Sequence, residues 1–318
     1  MLLRNQICER LKLKPAEFLM LTVAIAAAAI DVCLSLYKGA QFDIPAYAGV
    51  AGIILFTLPL GFYYRISGRN EGIASALICT GAFILFSTSM SIFNYLLLPL
   101  STPLIDLQLA KLDAYFGYHW PDIMRLASEY PTINKILKYA YMSTISQFAA
   151  LIIILGLSNR LRDLHVMITS VAITATLTIC FWGLFPSMGV TVIYPLSQEG
   201  WHSVGPIVDQ AYALDMMRIA VEGPGVISPK EIRGLIAFPS YHAVLAFTAM
   251  YASRNVPIIS IVFLFINLLI LPAIFVHGGH HFVDLIGGFM MFAIGTVIAV
   301  SAVGRNQKTV QPSTIVAH

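Results

Sequence analysis

Eight stretches of this chain are apolar over a length that crosses a bilayer, and no other property restricts its fold as much. They run over about residues 18–36, 44–64, 72–98, 136–157, 164–185, 235–252, 257–276 and 281–303. The hydrocarbon core is ~30 Å thick and a helix rises ~1.5 Å per residue, so a spanning helix needs ~20 predominantly apolar residues. Inside that core the backbone must satisfy its own polar groups, which helices do. The predicted fold is all-α, a polytopic bundle of about eight transmembrane helices, with 235–252 the shortest span. Composition agrees: 58% of the 318 residues are hydrophobic and 11% are charged, with a mean hydropathy of +0.80. A soluble domain carries about 25% charged residues, so this chain has too few to cover a surface facing water.

The net charge of +3 is too small to say much about partners, and no nucleic acid is expected. Cys8, Cys33, Cys79 and Cys180 fall in the N-terminal tail or in apolar runs, so a disulfide framework is not expected. The first residues carry Arg4, Arg10, Lys12 and Lys14 ahead of an apolar run, which imitates a signal peptide. No small-residue cleavage site follows the run, and the segment reads as a retained anchor helix.

Orientation follows from charge in the short connections. With the N-terminus inside, the inner segments hold Arg4, Arg10, Lys12, Lys14, Arg65, Arg69, Arg160, Arg162, Arg254, Arg305 and Lys308, more than half of the 19 basic residues. Basic residues in short flanking segments set topology, so both termini are expected in the cytoplasm. The turn at 277–281 and the segment 186–234 then face the periplasm or a lumen. Two outer segments are too long for simple turns. In 99–135, Ile105, Leu109 and Leu112 fit one face of an amphipathic helix lying in the interface, and Trp120-Pro121 opens a second short helix. The other, 186–234, is rich in Pro and Gly, carries Trp201, Arg218, Lys230 and Arg233, and is placed to roof a site at the outer surface.

Three of the eight histidines crowd into positions 277–281. A helix entered near His280 puts His280 and Asp284 at i and i+4 on one face. His242 lies at the outer end of the sixth span, so two histidines and a carboxylate from two helices converge on one membrane face. His277-x-x-His280-His281 also matches a box of membrane di-iron hydroxylases and desaturases, where imidazoles suit iron. Those enzymes use several such boxes, and here His119, His165, His202, His242 and His318 are isolated. A transporter or channel would be marked by charges in mid-membrane, which are scarce.

Pro239-Ser240-Tyr241-His242 resembles the Pro-Ser-Gly-His motif of the type 2 phosphatidic acid phosphatase (PAP2, lipid phosphate phosphatase) superfamily. His280-x-x-x-Asp284 resembles the end of that superfamily's last motif. The longer strings Phe238–Ala243 and Gly278–Asp284, with Tyr141-x-Ser143-x-x-x-Gln147, are closest to its inositol phosphorylceramide synthase-like branch. The resemblance covers roughly residues 100–303. It implies a six-helix catalytic core with N-terminal additions: a tail and two accessory helices over 1–70, a catalytic membrane domain over 71–303, and a cytoplasmic tail over 304–318. It implies a lipid phosphatase or phosphotransferase that needs no metal or other cofactor. His280 would be the nucleophile, Asp284 would fix its tautomer, and His242 would be the general acid and base. The substrate-binding residues it points to are Ser240, Tyr241, Tyr141 and Gln147. The substrate would be a phospholipid or lipid phosphate, with water or a lipid hydroxyl as acceptor.

The sequence departs from the superfamily in two places. The motif Lys-x6-Arg-Pro is absent, and Ile274 stands where an arginine is expected six residues before His280. Arg233, six residues before Pro239, is the first candidate for the missing phosphate cation, followed by Arg218 and Lys230; an interfacial anchor is the other reading of Arg233. Gln147 reads either as a pocket residue or as a buried polar group. Asp31 and Asn267 read as interhelical hydrogen-bonding groups. His281 stands where the branch often has an aromatic residue and reads as interfacial packing, and His277 reads as a loop donor.

Overall fold

The computed structural model describes residues 11–194 and 204–307. Arg4, Cys8, Arg10, Trp201, His202, Lys308 and His318 lie outside the described residues, as does the side chain of Arg305. The described chain is almost wholly helical: α1 (Pro15–Lys38), α2 (Ile44–Ser67), α3 (Glu71–Leu96), α4 (Asp106–Tyr115), α5 (Trp120–Glu129), α6 (Pro131–Met142), α7 (Thr144–Leu157), α8 (Leu161–Leu184), α9 (Gln210–Glu222), α10 (Tyr241–Ser253), α11 (Ile259–Gly278) and α12 (Phe282–Gln307). Among the described residues the strand content is one parallel pair, β1 (Gln41–Phe42) with β2 (Val226–Ile227), which ties the α1–α2 connection to the segment after α9.

Helices α1, α2, α3, α8, α11 and α12 are each long and apolar enough to cross a membrane, and the chain is an integral membrane protein. The span expected over 136–157 is instead a broken one: α6 and α7 meet at Ser143 with a bend of 52°. The span expected over 235–252 is corrected more strongly. Its helix, α10, has 13 residues, ~20 Å of rise, and does not match the hydrocarbon thickness by itself. The apolar residues 235–238 that lengthened the run lie in a non-helical approach: Phe238 N–H donates to Ser187 Oγ at 2.7 Å and Ala237 N–H to the Ser187 carbonyl at 3.3 Å. Hydropathy does not distinguish such a segment from helix.

The main apolar core lies between α1, α3, α7, α8 and α10, around Phe86, Phe148, Leu151, Leu164 and Met167. At the end of the bundle opposite the histidines, buried Glu17 on α1 accepts Arg65 of α2 at 2.6 and 2.7 Å and Ser75 of α3 at 3.1 Å. Where two helices have little apolar gain in lipid, such bonds and small-residue contacts hold them together. A second cluster, around Trp120, Met124, Tyr141, Ala243, Ile270 and Ile274, packs α5 and α6 against α10 and α11 beneath the histidine end.

Candidate active site

The turn between α11 and α12 is built on glycine. Gly279 has φ +63°, the left-handed conformation that glycine enters without a Cβ penalty, and it ends α11. Its carbonyl accepts Val190 N–H at 2.9 Å, and a Cβ on the facing Gly189 would meet that oxygen at 2.3 Å. Val208 N–H donates to the His277 carbonyl at 2.9 Å. The segments around 189 and 208 therefore lie on the histidine turn, as expected of the 186–234 stretch.

His280 and Asp284 form the predicted pair across one turn: Nδ1 lies 3.0 Å from Oδ2, and both residues are buried. The same Oδ2 accepts the His281 backbone N–H at 2.9 Å. With the carboxylate ionised, His280 carries its proton on Nδ1 and presents the Nε2 lone pair. That nitrogen is 3.5 Å from Ser240 Oγ. Ser240 caps α10, accepting Ala243 N–H at 3.4 Å, and its own N–H donates to the Asp284 carbonyl at 3.0 Å. Gly288 permits this packing, since a Cβ there would sit 2.6 Å from the Ser240 carbonyl. The Pro-Ser-x-His stretch and the His-x-x-x-Asp stretch thus meet as the N-terminal ends of two helices, where backbone N–H groups favour an anion.

His242 sits one position inside α10 and is stacked on Tyr141, with ring centroids 4.1 Å apart and planes at 18°. Tyr141 Oη is 3.2 Å from His242 Nδ1. A Cβ on Gly278 would lie 2.7 Å from His280 Cδ2 and 3.1 Å from Tyr141 Oη, so one bare backbone position brings the two histidine sets together.

A family model of the PAP2 superfamily matches residues 107–298. The chain belongs to the PAP2 superfamily. No match was found among curated proteins or among solved structures. The superfamily match takes in every residue of the histidine site and begins beyond α3, so α1 to α3 lie outside it. PAP2 membership fits phosphatase or phosphotransferase chemistry on a lipid phosphate.

The remaining residues singled out in the sequence fall in other places. Tyr241 points its hydroxyl at the Val171 carbonyl of α8, 3.3 Å away. Gln147 accepts from Asn267 Nδ2 at 2.7 Å and donates to Ser143 Oγ at 3.0 Å, which places both it and Asn267 in an interhelical polar contact between α7 and α11. Arg218 and Arg233 both bond Asp215, at 2.7 and 2.9 Å, and Arg233 also lies over the Tyr212 ring at 4.6 Å. The hydrogen bond from Arg218, joined by that from Arg233, holds the Asp215 carboxyl below its usual range. With Lys230 and Tyr95 these residues line a cavity of about 630 Å³. His277 is buried, with Nε2 3.2 Å from the Asn134 carbonyl, so it is tied to α6 and is not a donor in an open loop.

The expectation for His281 is overturned. It is fully buried, its Nδ1 lies 2.7 Å from Asp113 Oδ2, and its Nε2 lies 3.7 Å from Asp106 Oδ1, an ion-pair distance beyond hydrogen-bond reach. The face of α4 is corrected with it. The buried residues are Asp106, Leu109 and Asp113, while Leu112 is exposed, because the two carboxylates turn inward to His281 and to backbone N–H groups. Asp106 accepts Met188 and Gly189 N–H, and Asp113 accepts Val283 N–H. Sequence reasoning passed over both carboxylates; the available signal was their spacing of seven, two turns apart on one helix face. It also gave no role to Lys138, which is one turn before Tyr141 on α6 and half-buried, with Nζ 3.0 Å from the Gly205 carbonyl.

As possible metal ligands, His277, His280 and His281 each engage a different partner and do not share a centre. Among the described residues, Glu17, Cys79 and His165 bring three ligand atoms within 4.8 Å of one another, far from this turn. Both Glu17 oxygens are already bonded to the Arg65 guanidinium, so a cation occupies that position.

Proposed function

We propose that this chain is a lipid phosphotransferase or phosphatase that works through a phosphohistidine on the outer, periplasmic or lumenal, face of its membrane. The observation that carries this reading is the His280 ring, fixed by Asp284 through Nδ1 and facing Ser240 with Nε2 at the start of α10. The Nε2 lone pair attacks phosphorus in line, a P–N bond forms, and the bond from phosphorus to the leaving oxygen breaks. With His242 protonated for this step, Nδ1–H donates to the Tyr141 hydroxyl oxygen and the Nε2 proton passes to the leaving oxygen, which leaves a neutral imidazole. In the second half, an acceptor hydroxyl gives its proton to His242 and its oxygen attacks phosphorus, which breaks the P–N bond and restores His280. Ser240 and the first backbone N–H groups of α10 hold phosphoryl oxygens.

Positive charge must offset the phosphate. Arg233, Arg218 and Lys230 around the cavity, and Lys138 beside Tyr141, are the side chains proposed to supply it, and no metal is required. Resemblance of the site strings to the inositol phosphorylceramide synthase-like branch favours transfer of a headgroup, such as inositol phosphate, to a lipid hydroxyl. Hydrolysis is the second reading, with water as acceptor and the same residues.

The test is headgroup release from a labelled panel of phospholipids and lipid phosphates by purified protein in chelator. Wild type releases label, and His280→Ala releases at least 100-fold less. Addition of a ceramide- or diacylglycerol-like acceptor diverts label into a new lipid if transfer is the reaction. Activity abolished by chelator and restored by iron would overturn the reading in favour of a di-iron enzyme.

A further inference from the structure

Next to the catalytic turn lies a group of ionisable side chains that the proposed chemistry does not use. We infer that His281, seated between Asp106 and Asp113, is a positioning residue that clamps the interfacial helix α4 to the turn carrying His280 and Asp284. The inference rests on the phosphohistidine reading above, and it gives roles to three residues outside the two motifs.

His281, Asp106 and Asp113 are 0%, 1% and 3% exposed. Buried carboxylates are tolerated when paired and hydrogen-bonded, and among the described residues the pairing group here is this one imidazole. Its contact to Asp113, at 2.7 Å, has the length of a charge-assisted bond. The backbone N–H of the same residue donates to Asp284 Oδ2, the oxygen that also holds His280 Nδ1. Asp113 reaches one step further and accepts Val283 N–H at 3.1 Å, on the first turn of α12. Asp106 fixes the other wall of the turn through Met188 and Gly189 N–H, and Gly189 is in close approach to Gly279. Ring and backbone of His281 therefore join α4, the 188–190 segment and the Asp284 carboxylate in one network. A phenyl ring would fill much the same space and leave both carboxylates unpaired.

The groups facing His281 are Asp106 and Asp113 from α4, Asp284 from α12, its neighbour His280, and Tyr118, whose hydroxyl donates to the His280 carbonyl at 3.2 Å. Burial pulls the imidazole toward neutrality, but its contacts with Asp106 and Asp113 and the charge of Asp284 outweigh this and hold it up at about 9. A group raised in this way contributes fully below its ordinary value of 6.5 and loses that contribution as pH rises through about 9. The clamp is closed at neutral pH and opens in alkali.

The experiment is a pH titration, from about 6 to 10, of the full chain labelled with ¹⁵N-histidine in detergent. It compares wild type with Asp113→Asn, and identifies the His280 and His281 signals by their loss in His280→Ala and His281→Phe. Asp113→Asn removes the charge while keeping an acceptor, so it is the variant most certain to fold. In wild type the His281 signals titrate near pH 9 and those of His280 shift in step with them. In Asp113→Asn that titration moves to lower pH, and kcat at neutral pH falls ~10- to 100-fold with KM within about twofold, the cost of a small misplacement. His280 signals that ignore the state of His281, or an unchanged kcat and pH profile in Asp113→Asn, would overturn the inference. Because the histidine signals are read without turnover, failure to find any substrate would count against the phosphohistidine reading alone.

Discussion

At Gly278 the site has room for a hydrogen and no more. The Cβ of any other residue would press on His280 Cδ2 at 2.7 Å and on the Tyr141 hydroxyl at 3.1 Å, and both belong to side chains already fixed by Asp284 and His242. Gly278→Ala is therefore expected to lower kcat ~100-fold, the scale of an approximately 1 Å displacement of a reacting group. The protein should remain folded, since Gly278 is the last helical residue of α11 and has no positive φ that alanine would strain; steady-state kinetics beside a thermal melt checks both. At this scale the sequence was legible where residues are close in the chain. The His280–Asp284 pair follows from a spacing of four; the Ser240 cap does not, because the apolar run from 235 reads as helix continuing through it. The His281 contacts were not legible either, because Asp113 is 168 positions away and lies on a helix whose polar residues are expected to face water. A histidine in the place of an aromatic was the visible trace of them.

Among the elements, the two that depart furthest from expectation are those that build the site. α10 is short because its N-terminus must stop where Ser240 meets Asp284, and the approach to it is bonded to Ser187. α4 turns its carboxylates inward and leaves Leu107, Leu112, Tyr115 and Phe116 exposed, the arrangement suited to a helix bounded by lipid outside and a charged site inside. Hydropathy averages over such a helix and misses which face is buried. The bend at Ser143 is unmarked by Pro or Gly, so it too escapes a sequence reading. Away from the site, the buried Glu17–Arg65 pair joins α1 to α2, and both side chains bond Ser75 of α3. Arg65→Leu leaves Glu17 buried without its guanidinium partner and should cost about 3–5 kcal/mol. The double variant Arg65→Leu/Glu17→Leu should recover most of this, as read from thermal unfolding in detergent; a single variant as stable as wild type would show that the pair is not holding the helices.

For the whole molecule, the pattern of long apolar runs was enough to place the chain in a membrane and to make it all-α, because a bilayer leaves the backbone few alternatives. The superfamily match over 107–298 agrees with that reading, and its range takes in both motifs. The bundle is polarised. One end carries Glu17, Arg65 and the Arg254–Asp163 pair; the other carries both histidine sets, the cation-lined cavity and the segments that cover them. The account predicts that all covalent chemistry belongs to the second end, at one nitrogen. The direct measurement is to mix the protein with a donor carrying label in its phosphate, quench in alkali before the acceptor is added, and map the adduct by mass spectrometry. The label should lie on the peptide containing His280 and be absent in His280→Ala. Label on another residue, or turnover that survives His280→Ala, would contradict the account.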